Sequence, residues 1–79
     1  MSEVVREGIL YFIQTQDRGP STPCVESLVY RGGRILYSRK IDYSPHLNDP
    51  GLQDIIRKTL QMLHHELADD IAGGKYARL

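Results

Sequence analysis

Apolar positions change their period once along this chain. They run unbroken from Ile9 to Ile13, come in short runs among polar residues from Cys24 to Tyr43, and recur at three- and four-residue steps from Leu52 to Ile71. The first two patterns predict strands and the third a helix. Residues 8–16, GILYFIQTQ, are rich in β-branched and aromatic side chains and end at DRGPSTP, where two prolines and a glycine exclude regular structure. Because the apolar run does not alternate, both faces of this strand are expected to be covered.

Residues 24–31 and 34–43 predict two further strands around Gly32-Gly33, a pair suited to a two-residue hairpin turn. Counting outward from that turn sets Tyr30 opposite Ile35, Leu28 opposite Tyr37, Glu26 opposite Arg39 and Cys24 opposite Ile41. Paired residues share a face, so these form the expected core face under the helix. Val25, Ser27, Val29, Leu36, Ser38 and Lys40 are left on the other. The same count places Arg31 opposite Arg34, an unfavourable like-charge pair that outward-splayed arginines would relieve.

From about residue 50 the pattern becomes helical. Asp49 reads as an N-cap with Pro50 at the first helical position. Leu52, Ile55, Ile56, Leu60, Leu63, Leu67 and Ile71 form one apolar stripe, and Gly73-Gly74 a left-handed stop. The expected fold is therefore α+β: a three-stranded antiparallel sheet in β-β-β-α order, with a long C-terminal amphipathic helix over residues 50–72 packed on one face. Residues 74–79 are expected to form a flexible tail. One helix covers one sheet face, so Ile9, Leu10, Phe12, Val25, Val29 and Leu36 supply the candidate surface for a partner on whichever face stays open.

Composition strengthens that expectation. The 79 residues fit a single domain, 1–79, and a chain this small buries only about 60% of its unfolded surface. Disulfides, a metal or a partner usually reinforce such cores. Cys24 is the only cysteine, which excludes an internal disulfide and a four-cysteine zinc site. Association is the support left open, and a symmetric homodimer is its commonest form; another protein is the alternative partner. Ten basic residues balance ten acidic ones, which disfavours a dedicated nucleic-acid module. The amino-terminal segment has neither the apolar run of a signal peptide nor that of a membrane span. With one free thiol, the expectation is a soluble cytoplasmic protein without a membrane partner.

Candidate chemistry is sparse. Gly32-Gly33 lead from strand to strand, not into a helix, so they lack the geometry of a phosphate loop. Arg31, Arg34, Arg39 and Lys40 remain as a basic hairpin able to steer a nucleic acid or another polyanion, although a charged strand edge that discourages aggregation fits equally simple physics. Tyr30 and Tyr37, with Tyr11 nearby, could stack bases, but their apolar neighbours favour core tyrosines with hydroxyls at the rim. In LHHELADD, His65 and Asp69 share a helix face, and His46 would be a third ligand only if its loop folded beside them; closed metal sites need three or four ligands. Glu66 and Asp70 lie beside the apolar stripe, where pairing with Arg39, Lys40 or a partner chain is simpler than acid–base chemistry. Cys24 reads as a small core residue. No catalytic residue, metal or cofactor is assigned, and the expected role is a non-enzymatic interaction or assembly module.

Overall fold

Two left-handed glycines set the central hairpin. In the computed structural model, which describes residues 2–77, Gly32 and Gly33 adopt φ of 57° and 77°, as a two-residue turn requires of both central positions. They join β3 (Cys24–Arg31) to β4 (Arg34–Asp42), and β2 (Ile9–Asp17) pairs with β3. A fourth strand that the pattern did not reveal, β1 (Ser2–Arg6), pairs with β2 and completes an antiparallel sheet of order β1-β2-β3-β4. The fold is thus α+β as expected, with four strands instead of three and one long helix, α1 (Leu52–Ala72), across one face. No helix among the described residues is long and apolar enough to cross a membrane.

The hairpin register departs from simple counting after one step. Tyr30 faces Ile35 and Arg31 faces Arg34 as expected, but Val29 then faces Tyr37, which leaves Leu36 as an extra, unpaired residue. Such a bulge shifts every later position of its strand by one. Leu28 therefore faces Ser38, Glu26 faces Lys40 and Cys24 faces Asp42. The helix covers Val25, Ser27 and Val29, all fully buried, and Leu28 and Tyr30 fall on the open face. This inverts the expected assignment.

Beneath the helix the core has two parts. One gathers Tyr11, Ile13, Val29, Leu67, Ile71 and Tyr76; the other gathers Val25, Tyr43, Ile56 and Leu63. A polar row crosses the sheet between them. Thr15 and Ser27 face one another with hydroxyls 2.8 Å apart, and Ser27 faces Arg39, whose guanidinium donates to Glu66 on the helix. Satisfying Ser27 matters because an unpaired buried hydroxyl is costly.

Both helix ends differ from expectation. The Asp49 carboxylate accepts the Gly51 N–H at 2.8 Å, a tight local turn, so the helix starts at Leu52 with Gly51 at its N-cap and no side-chain cap. At the other end Gly74, with φ 82°, reverses the chain. Gly74 N–H donates to Ile71 O and Lys75 N–H to Asp70 O, both at 3.0 Å, which closes a Schellman motif. Arg6 Nε donates to Ala72 O at 3.2 Å, so β1 brings a cation to the negative end of the helix dipole. The reversal returns Tyr76 to the core at 2% exposure. Tyr76 is therefore packed within a segment expected to form a flexible tail, with Lys75 and Ala77 exposed on either side of it; Arg78 and Leu79 lie outside the described residues.

Two predictions follow from this end of the molecule. Gly74 holds a left-handed φ, and a Cβ there would meet Arg6 Nη2 at 2.9 Å. Gly74→Ala should cost about 1–2 kcal/mol in a denaturant melt. The Tyr76 hydroxyl is buried and has no hydrogen-bond partner, so Tyr76→Phe should stabilise the fold by about 1 kcal/mol. Burial, helped by Asp70, Tyr37 and Glu66, raises this hydroxyl to about 12 from its usual 10.0. The folded chain holds that proton where the unfolded chain has released it, so the contribution is intact below pH 10 and lost as pH rises through about 12. Melting temperatures across that window should fall less steeply for Tyr76→Phe than for the parent.

Candidate interaction surface on the open face of the sheet

Alternation along the four strands sends Val5, Leu10, Phe12, Leu28, Tyr30 and Ile35 to the face without a helix. In register, Val5 lies beside Leu10, and Phe12, Tyr30 and Ile35 follow one another across β2, β3 and β4. All six lie toward the end of the sheet that carries the β1–β2 and β3–β4 turns. Val5, Leu10 and Ile35 are 66%, 41% and 54% exposed. A shallow hollow of about 340 Å³ lies between Phe12, Gln14, Tyr30 and Gly33. The Tyr30 hydroxyl donates to Gln14 Oε1 at 3.2 Å, which fixes the tyrosine ring as one wall. Gly33 leaves that side open because it has no side chain.

The other half of the same face is polar. Glu26 accepts from Gln16 at 3.5 Å and lies 3.4 Å from Arg18 Nη1 and 3.6 Å from Lys40 Nζ. The open face is therefore divided along the strands into a largely apolar part, with exposed Glu3 beside Phe12 on its β1 side, and a charged part. An antiparallel sheet normally presents polar side chains to water on its uncovered side, so the apolar half is the feature that calls for a partner.

The candidate partner-binding residues separate accordingly. Leu10 and Phe12 lie on the open face. Val25 and Val29 are at 0% exposure under the helix, and Ile9 and Leu36 pack against the helix-side core. These four lie on the face that the helix covers. Leu28, Tyr30 and Ile35, assigned by counting to the core, take their place. Tyr37 and Tyr11 are on the helix side as expected of core tyrosines, with the Tyr37 and Tyr76 rings 5.9 Å apart and Lys75 Nζ 5.1 Å from the Tyr37 ring centre.

The basic hairpin residues do not form one surface. Arg39 turns to the helix side and pairs with Glu66, whereas Lys40 stays on the open face beside Glu26. Arg31 and Arg34 face each other beside the turn. Among the described residues no group of three or more His, Cys, Asp or Glu side chains converges on a point. His46 sits in the β4–α1 connection with Nδ1 4.0 Å from Asp49, and His65 and Asp69 are exposed on the helix. Asp70 pairs with Lys75 at 3.4 Å. Cys24 is buried next to the β2–β3 loop. At that end of the sheet the Tyr43 hydroxyl donates to Asp17 Oδ1 at 2.6 Å, and this bond, with burial and the Asp17 charge, raises the tyrosine to about 12. The arrangement ties the loop to the end of β4 and serves the fold.

These features define a four-stranded antiparallel sheet with one bare, half-apolar face. Comparison with models of protein families, with characterised proteins and with solved structures finds no match to this chain.

The face assignment is open to a direct check. Leu10→Ser, on the open side, should leave the denaturation midpoint nearly unchanged. Val29→Ser, with a polar group and a cavity under the helix, should cost about 3 kcal/mol or more. Similar losses for the two substitutions would show that the face assignment is wrong.

Proposed function

We propose that this chain is a small, non-enzymatic interaction module that associates through the open sheet face, with a second copy of itself as the partner. The observation that carries the reading is the apolar half of that face, where Val5, Leu10 and Ile35 are exposed around the Phe12–Tyr30 hollow. The shape adds support. The molecule measures 44 × 18 × 17 Å with a radius of gyration of 13.8 Å, against about 12 Å for a rounded domain of this length. An elongated molecule leaves more of its surface uncovered than a rounded domain of the same length, so burying one apolar side gains more.

The reading favours protein over nucleic acid because Arg39 and Lys40 are engaged by Glu66 and Glu26 on opposite faces. The single cysteine fits a reducing compartment, and we place the module in the cytoplasm.

Light scattering behind size exclusion tests the reading across concentrations up to roughly 500 μM, which covers weak interfaces. The expected mass is twice the 9.0 kDa of one chain. A mass of one chain throughout would remove self-association as the function of this face.

A further inference from the structure

The open face carries a projection and a hollow of matching chemistry, and an acid and a base in matching positions. Ile35 stands on β4 in the row that runs through Tyr30 to Phe12, so it lies beside the hollow that those two rings line with Gln14 and Gly33. Toward the other end, Lys40 on β4 faces Glu26 on β3, with Nζ 3.6 Å from Oε2. Each feature is half of a pair that a two-fold axis can complete. An axis lying between two facing sheets, parallel to the strands and midway between β3 and β4, exchanges the positions of those strands. It brings Ile35 of each copy against Tyr30 at the wall of the other copy's hollow, and Lys40 of each copy over Glu26 of the other.

We propose that the chain forms a face-to-face dimer about this axis, an inference that rests on the open face being the self-association surface. Strands lie about 4.8 Å apart and facing sheets about 10 Å, a gap that a lysine and a glutamate side chain together can span. Aligned sheet packing tolerates an angle of about 30° between the two strand directions, so the correspondence is kept near the axis. The overlap takes in β3 and β4 of each copy, with β2 flanking the partner's β4, roughly 270 Å² in plan at those spacings. That is about a third of the 800 Å² per partner in a standard interface, and it sets the affinity at the weak, micromolar end. Glu26 and Lys40 then fix the register of a contact whose apolar part is small, since complementary charge selects orientation more than it adds affinity.

Charge reversal tests the axis. Glu26→Lys and Lys40→Glu each place like charges across the proposed interface, so each variant alone should dissociate at least about tenfold more readily than the parent. Mixed in equal amounts, the two variants should recover the dimer, because both reversed positions then meet opposite charges on the other copy. Far-UV circular dichroism establishes that each variant is folded. Ile35→Lys, at an exposed position on an edge strand, gives a second test if either charge variant is unfolded, and it should weaken the dimer by a similar factor. A parent that stays monomeric overturns the underlying reading. A dimeric parent with charge variants that dimerise equally well, or with Ile35→Lys still dimeric, leaves self-association standing and overturns this axis.

Discussion

One unpaired residue in β4 governs how the two layers meet. With Leu36 inserted between Ile35 and Tyr37, opposite the step from Tyr30 to Val29, the hairpin changes which of its side chains share a face. Leu36 and Tyr37 both pack toward the helix-side core, and Arg39 follows them to reach Glu66. Without the extra residue Arg39 would lie beside Glu26 on the open face, and the helix would lose its ion pair to β4. The bulge thus selects Arg39 for the helix side, beside Glu66, and leaves Lys40 on the open face beside Glu26. It also increases the local twist of the edge strand.

The surface beneath the helix shows why this choice of face is the stable one. Val25, Ser27 and Val29 are short side chains in the middle of the sheet, and they allow Leu63 and Leu67 to approach closely enough to be fully buried. Leu28 and Tyr30 in that position would hold the helix further out. Length matching helps as well. A helix of 21 residues is about 31 Å long, comparable to strands of nine residues at about 3.4 Å each. The two layers therefore end together, and this lets Arg6 reach the last turn of the helix and Tyr76 return beneath it.

The helix and the Gly32-Gly33 hairpin were legible because each depends on short-range rules: a 3.6-residue period, and a turn whose residues must both take positive φ. β1 was not legible. Its connection to β2 turns on Glu7 and Gly8, and Glu7 takes φ 51° although glutamate has no preference for that region. The motif therefore lacks the Asn-Gly or Gly-Gly signature that announced the other turn. Nor does the bulge carry a local mark, because Leu36 is an ordinary strand residue. Before tertiary packing is considered, Val25 and Val29 are no better suited to the core than Leu28 and Tyr30. Counting from the turn therefore put Leu28, Tyr30 and Ile35 on the core face, whereas the helix covers Val25, Val29 and Leu36. Leu10 and Phe12 lie on the open face because β2 is apolar on both faces, and that excess is visible without any register. Tyr76 was missed for another reason: its burial depends on the chain reversing at Gly74 and on a core cluster to which the strands and the helix all contribute.

The same local features bear on which part of the sheet is free to associate. A sheet can recruit a partner through its edges or its face, and the two edges are poorly suited. β1 is five residues long, and β4 carries a bulge together with Arg34 and Lys40, devices that discourage strand addition. The face has no such protection at its apolar end, while Glu26 with its basic neighbours at the other end sets a direction along the strands. An apolar patch alone would associate in several orientations, and a charged patch alone would bind weakly in water. Side by side on one rigid sheet, they limit the arrangements in which apolar burial and charge pairing are satisfied together. The bulge decides which of two adjacent cations stands there, turning Arg39 to Glu66 and leaving Lys40 beside Glu26.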